Sequence, residues 1–280
     1  MMYIVAGFLI WGLGWWLNIR LANGPASDTP AMQIVIPVIF GVTSLLMWEL
    51  WVIGFDVKPV FLPRPTEIAA RLVSEWPTLW ADFKQTILKG ALGGYVIGGF
   101  AAFGVAILAD RSEFLTRGVL PVGSFMAALP IVGIAPIFVK WFGSDWEAKA
   151  AVVTVMVFFP ILVNTVAGLR DTTTMQRDLM RTYGAGYWPT LFKLRLPAAL
   201  PFIFNGLKIA TTLALIGAIV AEFFGSPTVG MGFRISTSFG VLALDLVWAE
   251  IVIAALTGSL FYGAVTLIER GMTFWHPSQR

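Results

Sequence analysis

Lys208 sits inside the apolar stretch 198–224, with Asn205 three positions before it and Thr212 four after. On a helix that spacing lines one face, so the three residues form a polar stripe in a segment of membrane length. An ionisable group within a bilayer is a functional candidate by default. Two readings stand: the stripe lines a solute pathway, or it binds helices together through a hydrogen bond or a snorkelling lysine. Glu222 and Glu250 lie near the ends of their apolar segments, and Glu222 reads as a structural or gating contact. Glu49, beside Trp48 and Trp51, reads as an interfacial anchor. Pro130, Gly133 and Pro136 share one segment, and a proline there frees backbone carbonyls that neighbours or a water-filled cavity must satisfy. They mark either a pathway wall or close packing through small residues. Gly90, Gly94 and Gly98, four apart, read as a packing face.

Catalysis has little to work with. The sequence has no cysteine and one histidine, His276, four residues from the end. Disulfides, thiolate metal sites, cysteine nucleophiles and His-based triads are thereby excluded. A Gly-x-x-x-x-Gly-Lys-Ser/Thr phosphate loop is also missing, so this chain is expected to bind no nucleotide. Neither a catalytic residue nor a metal ligand is assigned.

Composition explains the poverty of polar chemistry. Of the 280 residues 58% are hydrophobic and 12% charged, with a mean hydropathy of +0.80. Soluble domains carry roughly a quarter charged residues. Apolar segments fall at about 3–18, 34–54, 87–109, 119–142, 148–169, 198–224 and 245–268. All are expected to be helices, because lipid does not satisfy an open backbone. The fold class is therefore all-α, a polytopic membrane helical bundle. Segment 3–18 would extend about 24 Å, short for a span. No positive charge precedes it and Arg20 follows it, the reverse of a signal peptide. It is expected to be a retained helix with its N-terminus outside. A net charge of +3 is no sign of nucleic acid, since Lys and Arg gather at the cytoplasmic ends of spans.

Orientation follows from those cations. Arg111 and Arg117 flank one short turn, and Arg170, Arg177, Arg181, Lys193 and Arg195 fill the insert 170–195. Arg270 and Arg280 sit in the tail. If the segments alternate, all share one side, which the positive-inside rule makes cytoplasmic. The opposite side receives 55–86, with an amphipathic stretch Thr66–Phe83 expected on the outer interface.

The insert is the one elaborate polar surface of the chain. Asp171, Thr172, Thr173 and Thr174 offer N-caps, and Met175, Leu179, Met180 and Tyr183 recur at helical spacing. Gly184-Ala185-Gly186 breaks this helix, Gly184 being suited to the positive φ of a C-terminal cap. A second short helix is expected at about 187–195, with Pro189 in its first turn and Leu196-Pro197 at its end. Two short helices at a glycine elbow make either a docking knob or a hairpin lying on the lipid surface.

This loop resembles the cytoplasmic "EAA" loop of binding-protein-dependent ABC transporter permeases. The family pattern is Glu-Ala-Ala, three residues, Gly, nine residues, then Ile-x-Leu-Pro. Here Asp178 falls on the Glu, Leu179 and Met180 on the two Ala, Gly184 on the Gly, Leu194 on the Ile, and Leu196-Pro197 on the Leu-Pro. The acidic side chain is shortened and the small pair is bulky. Phe61-Leu62-Pro63-Arg64-Pro65 resembles an outer element of the nitrate/sulfonate/taurine branch. So do Leu129–Pro136 followed by Trp141-Phe142-Gly143, then Phe159–Leu169 and Ala218–Gly225. The resemblance runs over about 45–275.

The resemblance implies a six-span type I ABC importer permease core plus one extra N-terminal helix. Residues 1–33 would hold that helix and a linker, and 34–86 the first core span and interfacial segment. The permease domain would be 87–275 with the coupling loop 170–197, and 276–280 a tail. The chain would sit in the bacterial cytoplasmic membrane, in contact with lipid, with the loop and C-terminus cytoplasmic. Its implied partners are a cytoplasmic ABC ATPase dimer, an extracytoplasmic solute-binding protein and a second permease chain, most simply another copy. ATP and magnesium would be held by the ATPase, leaving this chain without cofactors. Asp178, Leu179, Met180, Tyr183, Gly184, Gly186, Leu194, Leu196 and Pro197 would form the coupling loop. Pro130, Gly133, Pro136, Asn205, Lys208, Thr212 and Glu222 are the pathway or gate candidates. The solute expected is organic, such as a sulfonate, taurine or a pyrimidine-type vitamin precursor. A secondary transporter or channel is the alternative, though it would need inverted repeats or a mid-membrane charge cluster.

Overall fold

The computed structural model describes residues 1–25, 27–127, 129–225 and 228–275, and among these every regular element is a helix. His276 and the tail 276–280 lie outside the described residues. Six helices are long and apolar enough to cross a membrane: α1 (Met2–Ala22), α2 (Pro30–Gly54), α4 (Trp76–Asp110), α7 (Trp146–Arg170), α9 (Tyr187–Glu222) and α11 (Leu244–Met272). Between them run α3 (Pro65–Ser74), α5 (Glu113–Ala127), α6 (Ile131–Phe142), α8 (Thr174–Thr182) and α10 (Met231–Gly240).

Three expectations change. Helix α1 begins and ends outside 3–18, and its 21 residues reach about 31 Å, enough to span. Its extension includes Arg20, whose guanidinium lies 4.3 Å from the Trp16 ring centroid, so the charge is carried on an aromatic face. Segment 119–142 is not one helix: it divides into α5 and α6, with Pro130 as the N-cap residue of α6. The residue preceding a proline resists helical ψ, which is why the rod breaks there. The amphipathic stretch Thr66–Phe83 likewise divides, and its second half opens α4 with Pro77 in the first turn, where a missing N–H costs nothing.

The chain separates into two compact units, one of 1–78 with 237–251, the other of 79–236 with 252–280. In the first, α1 lies along α2 at three narrow places. A Cβ on Gly7 would sit 2.9 Å from Trp51, one on Gly54 2.6 Å from Ile4, and one on Gly14 would run into the Thr43 side chain. Glu49 is no mere anchor: its carboxylate accepts from the Thr66 backbone N–H (3.1 Å) and hydroxyl (2.8 Å), tying α2 to the start of α3. Arg71 pairs with Asp245 at 2.8 Å, and the rings of Trp48 and Trp248 meet edge-on at 5.0 Å.

In the second unit α7 is the central rod. Its Val153, Val157, Ile161, Leu162 and Val166 pack between alanines of α4 (Ala91, Ala102, Ala106) and α9 (Ala210, Ala214, Ala218). Small residues outside and branched ones inside let three backbones approach. On α4 the approach is closest at the expected packing glycines: a Cβ on Gly94 would fall 2.5 Å from the Ala150 carbonyl, and one on Gly98 2.5 Å from Val157. The Thr154 hydroxyl donates to the Gly94 carbonyl at 3.2 Å across this contact. Asp145 caps α7, accepting from the Trp146 N–H at 2.8 Å. A hydrogen bond from Gln85, helped by the Trp146 N–H, holds its carboxyl below the usual carboxylate range.

Candidate functional site

The loop 170–197 is a structured projection whose two ends are pinned by local chemistry. Thr173 is the N-cap of α8: its hydroxyl accepts from the Gln176 N–H (3.3 Å), and the Gln176 side chain accepts from the Thr173 N–H (3.0 Å). This reciprocal pair is a capping box. At the other end Gly184 takes φ +71, and the N–H groups of Gly184 and Ala185 donate to the carbonyls of Arg181 (2.8 Å) and Met180 (3.0 Å). That 5→2 and 6→1 pattern is a Schellman ending, which a Cβ-bearing residue at 184 would strain.

Past the elbow the structure departs from expectation. Residues 187–195 are not a separate helix closed by Leu196-Pro197; they are the first turns of the continuous 36-residue α9. Pro197 has no N–H to give to the preceding turn, and its ring crowds the carbonyl four residues back. The backbone accommodates this with a π-helical stretch, Leu191–Arg195, immediately before it.

Arg195 then anchors the whole projection. Its guanidinium binds Asp110 through two hydrogen bonds of 2.7 and 2.5 Å, and it donates twice more to the Leu169 carbonyl at 3.0 and 2.8 Å. The two charged side chains are 12% and 4% exposed, so the pair is nearly dry. The Tyr187 hydroxyl donates to the same carboxylate at 3.0 Å. Arg111, next along from Asp110, lies over the Tyr187 and Trp188 rings at 4.9 and 5.3 Å. Thus the end of α4 carries one carboxylate and one guanidinium, and both grip the start of α9.

What this framework presents is apolar. Met175, Leu179 and Tyr183, four apart on and just after α8, are 81, 56 and 79% exposed, and α8 has no buried residue. Trp188 and Phe192, stacked at 5.9 Å, are also exposed. Of the expected loop residues, Asp178 pairs its carboxylate with its neighbour Arg181, at 3.3 Å, with both side chains well exposed. Met180, Leu194, Leu196 and Pro197 are half-buried, and Gly186 is the N-cap residue of α9's first turn.

The polar stripe on α9 divides. Asn205 and Thr212 are exposed on one face with Ile209 and Ile216, and the Asn205 amide donates to Asn164 of α7 at 3.0 Å. Lys208 turns away and donates to Glu269 of α11 at 2.8 Å, an ion pair 19 and 8% exposed. Its geometry is that of the interhelical bond. Pro130, Gly133 and Pro136 share an exposed face of α6, and a Cβ on Gly133 would meet only Pro130, at 3.7 Å. That face is open rather than packed.

Glu222, at the opposite end of α9 from the loop, lies in a buried clasp that sequence reading missed. Lys149 of α7 approaches it at 3.2 Å, with both side chains fully buried, and the Thr86 hydroxyl bridges to it at 2.8 Å. Three successive N–H groups at the start of α10 are then caught by side chains. Gly230 donates to Asp82 (2.6 Å), Met231 to Thr86 (2.8 Å) and Gly232 to Glu222 (2.7 Å). Arg234 pairs with Asp82 at 2.8 Å. The N-terminus of a helix presents unsatisfied donors and a partial positive charge, so two carboxylates and a hydroxyl suit it. Thr86 sits in a second π-helical stretch, Lys84–Ala91, of α4.

The family described as "Binding-protein-dependent transport system inner membrane component" matches residues 94–274. The chain is 31% identical over 252 residues to a formylaminopyrimidine transport permease of Halalkalibacterium halodurans, covering 88% of this chain and 98% of that one. It is 30% identical over 242 residues to a riboflavin transport system permease of Chloroflexus aurantiacus, covering 85% and 90%. With a taurine transport system permease of Escherichia coli it shares 26% over 249 residues, covering 84% and 88%.

Proposed function

Because the chain belongs to the binding-protein-dependent transport system inner membrane components, the permeases of ABC transporters, we propose that it is the membrane half of an importer driven by a separate cytoplasmic ATPase. The observation that carries the proposal is the exposed row Met175, Leu179 and Tyr183 on a helix capped at both ends and rooted through Arg195 to Asp110. A stripe of this kind is unstable as free surface and suited to a partner's groove. Five basic residues against two acidic ones in 170–197 argue that the groove lies in the cytoplasm, with the C-terminus on the same side.

The division of labour follows. Nucleotide and magnesium belong to the ATPase, and closure of its two subunits moves the loop. An extracytoplasmic binding protein delivers the solute at the opposite face. Two loops are needed for two ATPases, so a second permease chain, most simply another copy, completes the pathway. The open faces carrying Pro130, Gly133 and Pro136 on α6, and Asn205 and Thr212 on α9, are the lining candidates. Relatives named for formylaminopyrimidine, riboflavin and taurine support a small organic solute. Glu222 and Lys208, both engaged in ion pairs, act as structural locks or gate contacts rather than as solute ligands.

Reconstitution tests the reading. Purified alone, the chain should hydrolyse no ATP. In proteoliposomes with its ATPase and loaded binding protein, hydrolysis and solute uptake should rise together, because the loaded partner favours the state that closes the ATPases. Uptake that proceeds without any ATPase and follows an ion gradient would establish the secondary transporter instead.

A further inference from the structure

We propose that an arginine-lined cleft beside α8 receives an acidic side chain of the partner ATPase, an inference that rests on the docking role argued above. The cleft, of about 360 Å³, is lined by Arg177, Arg181, Ala185, Gly186, Tyr187, Thr190 and Arg195. Three arginines line it, yet their charges are unequally spent. Arg195 is neutralised by Asp110 and gives two more of its N–H groups to the Leu169 carbonyl. Arg181 meets only Asp178, at 3.3 Å, in a pair whose side chains are 79 and 66% exposed. Exposed pairs of that kind hold little free energy and exchange readily. Arg177 makes no ion pair among the described residues. The cleft therefore keeps one positive charge on Arg177 without an ion-pair partner among the described residues, and a second on Arg181 that an exposed carboxylate holds only loosely.

The chemistry of the walls selects the occupant. All three cations are arginines, whose planar forks match a planar carboxylate through paired hydrogen bonds, whereas a lysine would offer a point charge. Its position decides between a protein and a lipid headgroup. Arg177 and Arg181 lie on the face of α8 opposite Met175, Leu179 and Tyr183, so a partner groove that takes the exposed apolar row brings protein around the short helix toward the arginines. Tyr187 adds an aromatic wall to the cleft, and arginine with aromatic residues is the composition of a protein interface. Asp178 sets the rule of entry: an incoming carboxylate displaces it from Arg181 and gains Arg177 as well. ATPase choice then depends on an acidic residue seated opposite the cleft, in addition to the apolar stripe that any coupling groove accepts.

The test uses the full-length tagged chain purified in mild detergent from its native host at low and high salt. Wild type is compared with Arg177→Glu/Arg181→Glu and Arg177→Lys/Arg181→Lys, each first checked for a monodisperse elution profile. The charge reversal should retain at least about tenfold less ATPase than wild type. The lysine pair should fall between, and wild-type retention should drop with salt. A second readout does not depend on that variant folding. The chain has no cysteine, so the thiol of Thr190→Cys reports the cleft alone, and bound ATPase should slow its maleimide labelling by about tenfold. Wild-type retention by the charge reversal, or labelling of the Thr190→Cys thiol at an unchanged rate, overturns the proposal. So does native mass spectrometry in which the charge reversal loses an anionic lipid but keeps its ATPase. If wild type retains no ATPase at all, the docking role itself fails, and this inference falls with it.

Discussion

Removing the charge of Asp110 without changing its shape tests whether the projection is held by one buried pair. Asp110→Asn leaves the Arg195 guanidinium with the Leu169 carbonyl as acceptor but without its counter-charge, in a site where both side chains were nearly dry. Breaking a buried pair from one side costs about 3–5 kcal/mol, because the remaining charge is stranded. Two bonds to Arg195 and one from Tyr187 are weakened together, so the lower figure is the conservative one. At 1.4 kcal/mol per decade, about 3 kcal/mol is roughly a hundredfold in the opening equilibrium of the loop root. Hydrogen–deuterium exchange in detergent reads this directly, as a hundredfold loss of protection in 187–195 with little change in 150–165. A double variant, Asp110→Asn/Arg195→Met, removes the stranded charge and should recover most of the protection, since an apolar replacement of a buried pair is near neutral. Exchange in 187–195 that is unchanged by Asp110→Asn would refute the reasoning, and failure of the double variant to recover would show that hydrogen-bond geometry outweighs the charge.

Four further outcomes are expected. Gly184→Val puts a β-branched side chain at φ +71, so the chain should insert normally but lose ATPase co-purification and transport. A tag before Met1 should be reached by protease in spheroplasts while a tag after Arg280 is protected, which requires α5 and α6 together to make a seventh crossing beside the six long helices; a protected N-terminal tag would return the chain to an even number of crossings or a helix lying on the surface. Native mass spectrometry of the complex should find two permease chains per ATPase pair, and one would defeat the two-loop argument. Lys149→Met strands Glu222 in the clasp and should lower thermal stability by several degrees, with Lys149→Met/Glu222→Gln restoring much of it.

Features whose causes lie within a few residues were legible before folding. Thr173 and Gln176 cap one another across three positions, and Gly184 follows its helix directly, so both ends of α8 could be read from residue types alone. The packing glycines on α4 were legible for the same reason, since a four-residue repeat exposes one face. The fold class needed only composition and segment length. Asp110, Lys149, Asp82, Thr86 and Arg234 were missed because their partners are distant: Asp110 meets Arg195 across 85 positions, and Gly230 meets Asp82 across 148. One signal was present, since Asp110 and Lys149 are ionisable residues at the ends of apolar segments, where a buried partner is the usual explanation. The break at Pro130 was also written locally, but proline is tolerated in spans often enough that the apolar run outweighed it. Lys208 shows the limit of helical spacing. It shares an arc with Asn205 and Thr212, yet a long flexible stem let it reach Glu269 instead.

Helix α9 runs unbroken from Tyr187 in the loop to Glu222 in the clasp, 36 residues or about 54 Å of rod. Its backbone is helical throughout, so a push on one end would be carried along the rod rather than through a relay of contacts. The π-helical stretch Leu191–Arg195, Pro197 and Pro201 all lie in the half of the rod nearest the loop, so its more compliant part is at that end. Lengthening the rod by a single residue would rotate the clasp carboxylate by about 100° relative to the loop, so register along α9, more than any one side chain on it, times the two ends of the molecule to each other.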